Sequence, residues 1–155
     1  MQLRDESVGS ALPFVVLGVV SVVAGGLVAA VTGPTGWEHG SWAAAYLVLV
    51  TGVAQVGLGV AQAGLAATPL SRRRLSVELV GWNVGSALVI LGTLLTAPPV
   101  VVAGSALLVI ALVTFALTVQ GATVGPTWVR VAFLLLVLVL LVSIPVGVVL
   151  SVLRS

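Results

Sequence analysis

The sequence predicts an all-α, polytopic membrane protein, a compact bundle of five transmembrane helices joined by short loops. Three observations predict it. The chain of 155 residues is 60% hydrophobic and only 6% charged, with a mean hydropathy of +1.32, whereas a soluble domain carries about a quarter charged residues. Nothing this apolar can cover its exterior with polar groups, so lipid must be its solvent. Five apolar stretches, at about 11–32, 42–67, 76–97, 100–120 and 129–153, are each long enough to cross a bilayer. The breaks between them are brief and rich in Gly and Pro. All five belong to a single transmembrane domain, 1–155.

The first stretch follows a short polar segment holding Arg4, Asp5 and Glu6. Its apolar run exceeds the roughly 7–15 residues of a secretory signal, so a spanning helix is expected. Pro13 falls in the first turn, where a missing N–H costs little. Gly33-Pro34-Thr35-Gly36 should then break the helix. Trp37 and Trp42, with Glu38 and His39 between them, suit a headgroup region.

The second stretch, about 26 residues or some 39 Å, should tilt or project beyond the hydrocarbon. Thr68-Pro69 ends it. Arg72, Arg73 and Arg74 hold half of the six basic residues and precede the third stretch, which should stop by Pro98-Pro99. The fourth therefore folds back tightly on the third. Trp128 marks another interface before the fifth, and Pro145 should kink it.

Five spans place the termini on opposite sides. With Arg72, Arg73 and Arg74 in the cytoplasm, Arg4 and Arg130 join them and Arg154 stays outside. The positive-inside rule thus expects the amino terminus inside and the carboxyl terminus outside a cytoplasmic (inner) membrane, with Glu38 and His39 outside. The lack of Lys and the Val/Ala/Gly/Leu bias point to a GC-rich bacterial genome.

Small residues let helices approach, and amides can bond between them where water is absent. Gly52, Gln55, Gly59, Gln62 and Ala66 recur at spacings of three and four, and Gly81 and Gly85 flank Asn83. Gly52, Gly59, Gly81 and Gly85 are the expected packing positions. In the fifth span the run 133–142 reads as a lipid-facing wall, and Ser143, Gly147 and Ser151 as the packed stripe. Gly9-Ser10-Ala11-Leu12 echoes at 104–107, but a third copy at 85–88 marks composition rather than repetition.

Gln55, Gln62, Asn83 and Gln120 are the amides most in need of partners at membrane depth. Counting along an antiparallel hairpin puts Gln62 level with Asn83 and predicts a bond between them. Interhelical bonding outweighs a polar path here, because no carboxylate or imidazole reads as deeply placed. Glu78, one turn past Arg74, should pair with it near the interface. The arginine triplet could also attract anionic headgroups.

The same residues exclude much. There is no Cys and one His, too few ligands for a metal site, and nothing that asks for a cofactor. Gly57-Leu58-Gly59 has no strand before it, so it is not a nucleotide loop. No basic face with interleaved aromatics speaks for nucleic acid. Asp5, Glu6, Glu38, His39 and Glu78 are too scattered for acid–base catalysis, so no enzyme is expected. The expected role is helix association, as a homo-oligomer or an accessory subunit of a larger membrane complex. The alternative is a minimal transporter or channel, with Gln55, Gln62 and Asn83 lining its path.

Overall fold

The computed structural model describes residues 2–66, 70–120 and 124–153, with side chains within residues 9–149. Helix α1 is Gln2–Thr35. The second span is composite: α2 (Gly40–Tyr46), a π-helical segment (Leu47–Ala54) and α3 (Gln55–Leu65) run without a break. Helices α4 (Arg72–Leu94), α5 (Pro98–Gln120) and α6 (Thr127–Leu153) follow. Five helical stretches are long and apolar enough to cross a membrane, which makes the molecule an all-α membrane bundle. Successive spans alternate in direction. One end of the bundle carries Arg72, Arg73 and Arg74, and the other carries Glu38.

Local chemistry moves several boundaries. Helix α1 runs from Gln2 through Pro34, past the expected break at Gly33-Pro34. The hydroxyls of Thr32 and Thr35 donate back to the carbonyls of Val28 and Val31 at 2.7 Å each, binding up this last turn. Gly36, at φ +64°, then turns the chain. Helix α4 starts at Arg72, ahead of the expected 76, because Ser71 caps it. Its extended backbone lets the side chain accept from the Arg74 N–H at 3.3 Å.

Helix α4 ends at Leu94. Thr96 takes a left-handed φ of 52°, and the Ala97 N–H closes on the Gly92 carbonyl at 2.8 Å. Pro98 and Pro99 begin α5 rather than merely interrupting the chain, since proline suits a first turn whose N–H groups have no helical partner. The expected end of the second span at Ala67, the Thr68-Pro69 break and Arg154 lie outside the described residues, as do the side chains of Arg4, Asp5, Glu6 and Ser151.

Two glycine contacts assemble the bundle. Between α1 and the second span, a β-carbon on Gly18 would come within 2.9 Å of the Gly52 carbonyl, and one on Gly52 within 2.6 Å of Val22 Cγ2. Gly59 accommodates the ring of Phe14. Between α4 and α5, β-carbons on Gly85 and Gly104 would meet each other's carbonyls at 2.9 and 2.7 Å. Gly81 sits at ordinary contact with Ala111. These close approaches give the dispersion contact that holds helices together when lipid removes the hydrophobic drive.

The core lies where α1, α3, α4 and α5 meet. Phe14, Leu58, Trp82, Leu112 and Phe115 are fully buried there. The Phe115 ring lies 5.5 Å from that of Phe14 and makes a T-shaped contact with Trp82 at 6.4 Å. Helix α6 corrects the expected lipid wall. Phe133 and Val137 within it are buried in the core, while Ser143 and Gly147, expected to pack, are exposed. Phe133 and Val137 are four apart and share a face, so large side chains alone do not say which face meets lipid.

Candidate functional site

Toward the arginine end, three helices converge on one carboxyl group. Glu78 has no exposed surface. Gln62 Nε2 donates to both of its oxygens at 3.0 Å. Thr118 Oγ1 lies 3.4 Å from Oε1, but its hydroxyl also reaches the Thr114 carbonyl at 2.9 Å, the shorter bond. The cluster ties α3, α4 and α5 together through side chains of sharply different polarity from their surroundings.

Sequence counting expected Gln62 to bond Asn83, and the structure corrects this. Asn83 Nδ2 donates to the Leu79 carbonyl of its own helix at 2.9 Å. The depth is shared but the direction is not. Five residues at about 100° each carry Asn83 roughly 140° around α4 from Glu78. The expected Glu78–Arg74 pair is likewise displaced: Arg74 is exposed and Glu78 turns inward to Gln62. A deep carboxyl group, which the sequence did not suggest, is therefore present. Its signal was Glu78, Trp82, Ser86 and Val89 recurring at spacings of four and three, the buried face of α4.

Above this cluster, toward Glu38, runs a seam of buried polar atoms without hydrogen-bond partners among the described residues. They are Gln62 Oε1, both amide atoms of Gln55, Thr51 Oγ1, Trp82 Nε1 and Ser86 Oγ. All belong to the second span or to α4. The Tyr46 hydroxyl lies beside Ser86 without closing a hydrogen bond. Gln120, the remaining candidate amide, is exposed at the end of α5.

At the Glu38 end the bundle opens into a cavity of about 760 Å³. Trp42, Tyr46 and Trp82 form an aromatic wall, the first two with ring centroids 5.4 Å apart. Val89, Leu108, Leu112 and Ile144 supply aliphatic surface, and Thr93, Ser105 and Ser143 supply hydroxyls. Glu38 and His39 stand at its rim, both exposed. The space exists because α6 packs through Phe133 and Val137 and then lines the gap with Leu140, Ser143, Ile144 and Gly147, two of them small. Nothing lies within 4 Å of where a Gly147 β-carbon would stand.

None of Gln55, Gln62, Glu78, Asn83 and Gln120 lines this cavity. Sequence reasoning noticed Trp42, Glu38 and His39 but treated them as an interface and a loop. No family model, curated protein or solved structure matches the chain. Fold and site together define a small multi-pass helical-bundle membrane protein with a cavity toward its Glu38 end.

Proposed function

We propose that this protein is a minimal membrane transporter that takes a small molecule into the cavity at its Glu38 end. The observation that carries this reading is the cavity itself, lined from Glu38 and His39 at the bundle end inward to Trp82 and Leu112. Its 760 Å³ falls within the range of small-molecule sites, about 300–1,000 Å³. Few polar groups interrupt its apolar walls, which suits binding and passage rather than bond making, and no enzymatic activity is proposed. Toward the arginine end, Leu58, Trp82 and Phe115 fill the bundle and the Gln62–Glu78 pair clasps it. Packing of this kind beneath a cavity suits a carrier that admits its ligand from one side.

The positive-inside rule puts Arg72, Arg73 and Arg74 in the cytoplasm of an inner membrane, so the cavity opens outward. In this reading the cavity, rather than a path through Gln55, Gln62 and Asn83, receives the solute, since none of the three lines it. The lipid bilayer is the surrounding partner, with no role for nucleic acid.

Reconstituted vesicles loaded with candidate solutes test the proposal. Ser143→Trp places an indole in the cavity from an exposed position, and should abolish flux while leaving the melting temperature unchanged. Equal flux through the variant would overturn the reading.

A second reading, association as a homo-oligomer or accessory subunit, is favoured by α1. Gly9, Gly26 and Gly33 have nothing within 4 Å, leaving small residues facing outward where another helix could seat. Native mass spectrometry in mild detergent distinguishes it. A strict monomer that transports supports the first reading, and a transport-inactive assembly supports the second.

A further inference from the structure

The chemistry of the cavity selects one class of ligand, if the cavity is a binding site as proposed above. Among the described residues, Glu38 is the one carboxylate at its rim, beside His39, and no Arg lines it. The described arginines of α4 lie in its first turn and Arg130 lies in the first turn of α6, both at the far end. The 23 residues of α4 put about 34 Å between that triplet and the rim, far beyond contact with a bound ligand.

The helix ends at the rim add to this. Thr93 and Thr96 line the cavity where α4 ends, so the negative end of its dipole lies there, with the carbonyls of Leu91, Gly92 and Thr93 already accepting from the N–H groups of Leu95, Ala97 and Thr96. Helix α5 starts there and would ordinarily present N–H groups to an anion. Its first two residues are Pro98 and Pro99, which have none. The aromatic wall of Trp42, Tyr46 and Trp82 presents the rings whose faces attract cations. The Glu38 carboxylate, the dipole end of α4 and the aromatic rings agree in sign, and the aliphatic surface beyond them asks for an apolar body.

We propose that the cavity binds a lipophilic cation, a bulky apolar or aromatic body bearing a single positive charge. The hydroxyls of Thr93, Ser105 and Ser143 do not need to be matched by such a ligand, since hydroxyls in helices can donate to their own carbonyls, as Thr93 does to Val89 at 2.8 Å.

Tetraphenylphosphonium and tetraphenylborate have nearly the same shape and opposite charge, so they separate charge selection from cavity filling. Binding of each to the full-length protein in neutral detergent is read by tryptophan fluorescence, with Ser143→Trp setting the level of micelle partitioning. The phosphonium should bind at least about tenfold more tightly than the borate. Glu38→Gln, at an exposed position, should weaken the phosphonium about threefold, and Trp42→Leu should weaken it further while sparing the borate. Unchanged melting temperatures show that both variants fold.

Equal binding of the two ions above the Ser143→Trp level, or preference for the borate, would overturn the cation assignment and leave the cavity reading standing. Binding of neither ion above that level overturns the cation assignment as well. Solute flux that persists in Ser143→Trp is the separate result that removes the cavity reading itself. A tightly retained lipid that displaces both ions would also overturn the assignment, since the cavity would then be an acyl-chain site.

Discussion

A carboxyl group with no exposed surface, inside a bundle that lipid surrounds, depends on its hydrogen bonds. Glu78 receives two from one amide. Gln62→Leu should therefore cost about 2–3 kcal/mol, the scale for stranding a buried group of this kind. Asn83→Leu breaks only a bond within its own helix and should cost less than about 1 kcal/mol. Unfolding titrations in detergent measure both, and equal costs would contradict the pairing. In Glu78→Gln the cost of Gln62→Leu should shrink, because the two residues are coupled. All three polar residues were visible in the sequence, with the depths of Gln62 and Asn83, whereas Glu78 was expected at the interface beside Arg74. Which of them met was not visible, because a one-residue difference turns a helical side chain by about 100°. The four packing glycines were easier to find, since Gly52, Gly59, Gly81 and Gly85 stand at helix contacts whose only requirement is small size.

Elements were legible wherever a local signal was strong. Five apolar runs gave five spans, and their breaks fell near the Gly and Pro clusters. Boundaries slipped where a side chain overrode composition, as with the Ser71 cap and the threonine bonds around Pro34. The π-helical segment 47–54 left no mark in the residues. How closely helices pack is a property of elements too, and it can be perturbed. Gly104 faces the Gly85 carbonyl so closely that a β-carbon would stand 2.7 Å from it, and 2.8 Å from Val89 N. Backbone cannot yield as a side chain can, so Gly104→Ala should destabilise by about 1–3 kcal/mol, the cost of overpacking. Gly26→Ala on α1, with nothing within 4 Å, should be neutral or slightly stabilising. Thermal melts of the two variants provide the comparison, and a harmless Gly104→Ala would mean that the α4–α5 contact is looser than its geometry.

The cavity belongs to the whole molecule, which is why no single stretch announced it. It depends on where α6 stops following the bundle, and on α2, α4 and α5 all ending or beginning at the same face. Orientation is a property at this scale as well. Three arginines in the first turn of α4 oppose its helix dipole, a cost of roughly 0.3–1 kcal/mol for each charge. Exposed charges so placed are better explained by the side of the membrane they hold than by the helix they begin. Because the chain has no cysteine, single cysteines report sidedness without background. In intact cells a membrane-impermeant maleimide should label Glu38→Cys at once and Ser143→Cys more slowly, as the cavity admits it. Ser71→Cys should react only after permeabilisation. Replacing Arg72, Arg73 and Arg74 with Gln should then give a mixed population, in which both Glu38→Cys and Ser71→Cys label partially. The opposite pattern in the native sequence would turn the cavity toward the cytoplasm, and a lipophilic cation would then be taken up from inside the cell.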